Sequence, residues 1–255
     1  MKAVIIGSGN VATWFAFALK KAKIKVTQIY SPTLEHGKIL ADSCGCEAID
    51  SMSELRSDAN IYIFSIKDDA YEKTISEISF RMPLAVLTAG SVSQRVLAEK
   101  SERYGVVYPC QTISRLADFS KLVVPLCIEG DDKTTEDQLC EFARFVSDKV
   151  YKINEEQREK LHLAAVFSSN FTNAMYGVGF DILRASNIDS ELIIPLLQNT
   201  LDKISLMNPW QAQTGPARRH DEKIIQKQLN ELKENKLREI YRLISEWIEN
   251  KTDGK

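Results

Sequence analysis

Val4-Ile5-Ile6-Gly7-Ser8-Gly9-Asn10-Val11-Ala12 is the stretch that decides how this chain is read. An apolar run leads straight into small residues spaced G-x-G-x-x-A, and these lead into an apolar helical pattern. In a βαβ unit that spacing presents a helix N-terminus to the pyrophosphate of a dinucleotide. Gly7 suits the tight turn off the strand. Gly9 has no Cβ to keep phosphate oxygens from the backbone, and Ala12 lets helix and strand pack closely. The amides of Ser8, Gly9, Asn10 and Val11 then face the anion, with the helix dipole behind them. The other reading of these residues is a plain tight turn between strand and helix.

The pattern around this turn supports the first reading. β-rich runs at 2–6, 25–30, 61–66, 84–88, 105–108, 122–129 and 149–152 read as strands. Helical patterns at 11–21, 34–43, 69–78 and 93–101 separate the early ones. Such alternation predicts an α/β fold, a doubly wound and mostly parallel Rossmann sheet. The strands after Gly105 have shorter connections and are expected to extend one edge. From Asn154 onward the pattern is helical. Asn154 and Gln157 have the spacing of a capping box, Pro195 falls early in a helix, and Asn208-Pro209 breaks the chain. Asp221 is expected to cap one long final helix. The boundary is therefore placed at 1–153 for a dinucleotide-binding domain and 154–255 for an all-α domain.

Composition narrows the class. In 255 residues, 44% hydrophobic content supplies a core, and a net charge of −2 offers no basic field for nucleic acid or an anionic membrane. No apolar run approaches the ~18 residues a membrane span needs. The first strand begins next to Met1, unlike a signal peptide. The 5 cysteines are scattered, without metal-ligand spacing, so a reduced, cytoplasmic protein with no metal is expected.

Ligands of such sheets bind beyond the carboxyl ends of the strands. Tyr30-Ser31-Pro32-Thr33 ends the second strand without the acid that usually holds both ribose hydroxyls of NAD. Ser31 and Thr33 are therefore candidates for a 2′-phosphate, which favours NADP while leaving NAD open. Ser65 and Lys67 follow the next strand, although Lys67 also reads as a solvated residue before a helix. Ala89 and Gly90 end the strand after that and permit close approach of a nicotinamide ring. In the helical half, His162, Ser169, Asn170 and Asn173 fall in one sector of an ideal helix. His162 suits a general acid, Asn170 an orienting group, and Ser169 and Asn173 substrate contacts. The alternative is a helix–helix or dimer interface around a core histidine. Thr214-Gly215-Pro216-Ala217-Arg218-Arg219-His220-Asp221 gathers Thr214, Arg218 and Arg219 as a possible anion clamp, or else as a capped surface turn.

Taken together, these motifs, with Tyr108-Pro109, resemble a bacterial family of Rossmann-like proteins. Its C-terminal helical domain is classed as of unknown function. Its N-terminal domain is similar to pyrroline-5-carboxylate reductase and to coenzyme-F420-dependent NADP oxidoreductases. The resemblance implies a helical domain like the C-terminal domain of 6-phosphogluconate dehydrogenase, and hence a homodimer formed through it. It departs from the family where Tyr108 replaces a common histidine and His220 a common glycine. Lys160 also lacks an asparagine four residues on, which removes the lysine mechanism of 3-hydroxyacid dehydrogenases. The expected activity is hydride transfer between NADP(H) and a small imine or carbonyl substrate at the domain cleft. The alternatives are a non-catalytic NADP-binding sensor or an F420-linked NADP reductase.

Overall fold

A computed structural model describes residues 1–253. Its centre is one 8-stranded sheet in the order β3-β2-β1-β4-β5-β6-β7-β8. These are β1 (Lys2–Ile6), β2 (Lys25–Tyr30), β3 (Glu47–Ile49), β4 (Ile61–Phe64), β5 (Met82–Leu87), β6 (Ser101–Pro109), β7 (Leu126–Gly130) and β8 (Val150–Lys152). All neighbours are parallel except β6 and β7. Strand order reverses at β1 and β4, which opens the ligand crevice of a doubly wound sheet at their carboxyl ends.

The strands bury both faces, which is why they read as continuous apolar runs. Ala3 and Ile5 of β1 point into one core with α1 (Asn10–Lys21), α2 (Leu34–Cys44) and α4 (Lys133–Val146). Val4 and Ile6 point into the other, with Tyr71 and Ile75 of the short α3 (Tyr71–Ser76). At the end of β1, Gly7 has φ +120° and its amide donates to the Tyr30 carbonyl at 2.8 Å. A Cβ on Gly7 would stand 2.1 Å from the Ser65 carbonyl oxygen, whereas one on Gly9 would meet nothing within 4 Å. Gly7 is thus fixed by the protein's own packing, and Gly9 borders open space.

Several expected elements differ. The helix expected at 93–101 is a single 3₁₀ turn, Gln94–Leu97, because pairing of Ser101 with Met82 draws the following residues into β6. The strand expected at 122–129 starts at Leu126, after Pro125. The connection from β7 to β8 is not short. It holds the 14-residue α4, capped by Asp132, whose carboxylate accepts from the Thr135 amide at 2.7 Å.

Beyond the sheet, α5 (Glu155–Ala165) opens with the expected capping box. Asn154 Oδ1 accepts from the Gln157 amide at 2.9 Å, and Gln157 Oε1 from the Asn154 amide at 3.0 Å. A π-helical turn, Val166–Phe171, links α5 to α6 (Thr172–Ala185). Further on come α7 (Ile194–Leu206), α8 (Pro209–Ala212), α9 (Glu222–Glu231) and α10 (Asn235–Asp253). Asp221 does cap a helix, its Oδ1 accepting from the Ile224 amide at 3.3 Å, but the helix it caps is α9. The expected single final helix is broken at Leu232, which turns extended and accepts from Arg238 Nε at 2.6 Å. That break lets the Tyr241 hydroxyl of α10 reach Gln228 of α9.

Compactness divides the chain into Met1–Met175 and Tyr176–Lys255, so α5 and the π turn group with the sheet although the helical pattern begins at Asn154. No helix among the described residues is long and apolar enough to cross a membrane.

The two glycines predict opposite outcomes. Gly7→Ala forces a β-carbon into a carbonyl at positive φ and is expected to cost about 2 kcal/mol or more. Gly9→Ala is expected to stay within about 0.5 kcal/mol of the parent. Urea midpoints measure both, and equal midpoints for the two variants would contradict this account of the turn.

Candidate functional site

The carboxyl ends of β1, β2, β4 and β5 carry the sequence-derived cofactor residues. Gly7, Ser8, Gly9, Asn10 and Val11 form the turn into α1. Gly9 is its N-cap residue, and the first turn of α1 contains no acidic side chain. Ser31 is buried, and its hydroxyl donates to the Thr33 carbonyl at 2.8 Å and lies 2.9 Å from Ser8 Oγ. It therefore ties the end of β2 to the glycine turn, while Thr33 is exposed at the start of α2. Ser65 is likewise buried, 3.2 Å from the Thr88 hydroxyl, and Lys67 is exposed. Asp68 accepts a hydrogen bond from Ser91, which joins the β4 and β5 loops.

His162 reaches this rim from α5. Its imidazole lies directly over Gly90, where an added Cβ would stand 2.7 Å from Nδ1. The same Nδ1 lies 3.2 Å from the Tyr108 hydroxyl, and the two rings meet edge to face with centroids 6.1 Å apart. Burial pushes the Tyr108 phenol up to about 12, with Cys110 and Cys127 adding to the rise, so at neutral pH it is an uncharged hydroxyl. The pair thus joins an imidazole to a neutral donor–acceptor beside a loop that carries no side chain at Gly90.

The position of His162 is set by Arg158, one helical turn earlier. Arg158 is fully buried. Its Nη1 donates to the carbonyls of Gly90 and Val92, each at 3.0 Å, and its Nε and Nη2 lie 3.3 and 3.2 Å from Glu129 Oε2. Glu129 also accepts from Gln94 Nε2 at 3.2 Å. Burial raises the Glu129 carboxyl above its ordinary value, outweighing the pull of Arg158 in the opposite direction. The ion pair is nevertheless the arrangement that a buried guanidinium requires, since an unpaired buried charge costs several kcal/mol.

The remaining predicted residues separate. Ser169 Oγ lies 3.0 Å from Thr112 Oγ1, so it faces the connection that follows β6, as His162 faces β6 itself. Asn170 and Asn173 are exposed. The single sector expected for His162, Ser169, Asn170 and Asn173 assumed an unbroken α-helix. The π turn, marked by the Thr172 hydroxyl donating to the Phe167 carbonyl at 3.0 Å, interrupts that register. Thr214, Arg218 and Arg219 belong to the second compact unit. There Gly215 has φ +106°, and a 3₁₀ turn, Ala217–Arg219, anchors on the buried Ala217. Arg158, Glu129 and the Tyr108 hydroxyl are the parts of this corner that sequence reasoning left unassigned. Tyr108-Pro109 was visible as a motif, but Arg158 looks like any surface arginine of a charged helix.

The fold and this rim are those of a Rossmann-type dinucleotide domain. Residues 2–103 match the family model for coenzyme-F420-dependent NADP oxidoreductases, and residues 124–248 match a domain of unknown function, DUF2520. A Bacteroides fragilis protein, provisionally described as an NADP oxidoreductase, is 35% identical, with 98% of each chain covered and a TM-score of 0.92. The chain therefore belongs to this NADP oxidoreductase family, with its DUF2520 C-terminal domain. A Streptococcus pyogenes 1-pyrroline-5-carboxylate reductase shares the fold at 16% identity, covering 99% of this chain and 98% of that one, with a TM-score of 0.64. So does a Myxococcus stipitatus imine reductase in complex with NADP⁺, at 15% identity, 98% and 92% coverage and a TM-score of 0.66. No curated protein matches the sequence.

Arg158→Met is expected to destabilise the protein by about 3–5 kcal/mol, because it strands Glu129 in the interior. Glu129→Gln is expected to cost less as pH rises. With its native pKa raised by burial, Glu129 holds its proton more tightly in the folded than in the unfolded chain, so the parent loses stability as pH rises through that range while the neutral variant does not. Denaturant melts across pH measure this, and a gap independent of pH would count against a raised Glu129 pKa.

Proposed function

We propose that the protein is an NADP(H)-dependent oxidoreductase that reduces, or forms by oxidation, a small imine or carbonyl compound at the Gly90–His162–Tyr108 corner. The observation that carries this reading is the His162 imidazole over Gly90, hydrogen-bonded to Tyr108 at the carboxyl edge of the sheet. The glycine turn suits the dinucleotide, since Gly9 borders open space and no acid stands in the first turn of α1. The lack of an acid at the end of β2, with Thr33 exposed there, favours NADP over NAD. When bound, the nicotinamide supplies or accepts the hydride.

The chain's own residues handle the proton and the geometry. In the reducing direction, His162 gives a proton to the carbonyl oxygen or imine nitrogen as that atom gains electron density. Tyr108 holds the imidazole through Nδ1, which leaves Nε2 for the substrate. Asn170 orients the polar group, and Ser169 and Asn173 line its approach. Lys67, Ala89 and Gly90 border the nicotinamide half. The protein acts as a homodimer through its helical part. In Tyr176–Lys255, Ala217 and Ile225 are the only apolar side chains buried among the described residues, while Leu201 is 58% and Leu206 81% exposed on α7. So small a core does not sustain a helical unit unaided, and a second copy supplies the missing contacts. The description of the matched N-terminal model favours a second reading, in which reduced coenzyme F420 exchanges hydride with NADP.

NADPH is expected to bind more tightly than NADH in calorimetric titration, and binding of neither sinks both readings. With a panel of imines, carbonyls and F420 as co-substrates, His162→Ala is expected to lower kcat/KM by ~10²–10³. Unchanged turnover in that variant removes His162 from the proton-donor role. Tyr108→Phe is expected to lower activity by about tenfold, evenly between about pH 5 and 10, because the phenol stays protonated throughout. A Tyr108-dependent limb inside that range would contradict the assignment.

A further inference from the structure

We infer that Arg115, on the connection between β6 and β7, binds the cofactor pyrophosphate. The inference rests on the NADP(H) reading above. Arg115 Nη2 donates to the carbonyl of Ser8, the residue between the two glycines of the turn and 107 positions away in sequence.

The connection that carries Arg115 is tethered. Ile113 is buried in the core that contains α1, and Phe119 packs on Phe17 of α1 with centroids 5.6 Å apart. Gln111 Nε2 donates to the Val123 carbonyl at 2.9 Å. Between these anchors the Ala117 amide donates to the Ser114 carbonyl at 3.0 Å, which closes a tight turn with Arg115 at its second position.

Electrostatics gives the contact its meaning. Arg115 has no carboxylate partner among the described residues, and it stands beside the positive end of α1, where a cation is disfavoured. No acid of the first turn relieves that repulsion. A pyrophosphate does so, and its charge is shared between the amides opening α1 and the guanidinium. Arg115 spends one donor on Ser8 and keeps others for phosphate oxygens. The open space beyond Gly9 leaves room for the anion.

The test is to titrate the full-length protein and its Arg115→Ala, Arg115→Gln and Arg115→Lys variants with NADPH, NADH and ADP-ribose, checking each fold by its melting temperature. Arg115→Ala and Arg115→Gln are expected to weaken all three ligands alike, by roughly tenfold, and Arg115→Lys by less. Unchanged affinities overturn the inference. So does a loss confined to NADPH, which would place Arg115 on the 2′-phosphate instead. If the parent binds none of the three, the NADP(H) reading itself fails, and the variants are not needed to see it.

Discussion

A fully buried guanidinium holds this architecture together at its working edge. Arg158 leaves water completely, and the interior must supply what water gave: a carboxylate from Glu129 on β7 and carbonyls from the loop that ends β5. A charge in that position tolerates little slack, because any displacement leaves donors unpaired in a medium of low polarity. Three parts of the chain therefore share one geometry. The β5 loop cannot drift from α5, and α5 cannot rotate relative to β7.

That constraint reaches His162 through helix periodicity. His162 lies four residues after Arg158, on the same face of α5, so the bond that fixes one side chain also fixes the other. The Gly90 carbonyl accepts from Arg158, and the Gly90 α-carbon lies beneath the His162 ring. A side chain at residue 90 would displace the imidazole; its absence lets the ring settle on the backbone within reach of Tyr108. Arg158 is thus a positioning residue, and it lends rigidity to a site that faces the open rim of the sheet.

The cofactor end of the crevice follows a different rule. There the sequence contributes absences: no Cβ at Gly7 or Gly9, and no acid in the first turn of α1 or at the end of β2. Gly7 is required by the protein itself, since Ser65 occupies the space a side chain would need, whereas the space at Gly9 is left open. Ser31 and Ser65 brace the strand ends with their hydroxyls, which leaves backbone amides and exposed residues such as Thr33 to meet a ligand.

The sequence by itself determined the sheet and the place of the crevice. The continuous apolar run of β1, small residues at fixed spacing and the Asn154–Gln157 cap are local devices, legible wherever they occur because each depends on residues a few positions apart. Locality also explains what was misjudged. The segment 93–101 has helical spacing, yet pairing of Ser101 with Met82 claims its end, and the run of apolar residues after Asp221 conceals a break fixed by Arg238. The sector drawn through His162 and Asn173 assumed a uniform helix, which the π turn does not allow. Only the tertiary structure decided that Arg158 is a buried ion rather than a surface one, that Tyr108 meets His162, and that Arg115 reaches the glycine turn. Each of these contacts joins residues separated by 29, 54 and 107 positions, and no local pattern encodes a partner so far away.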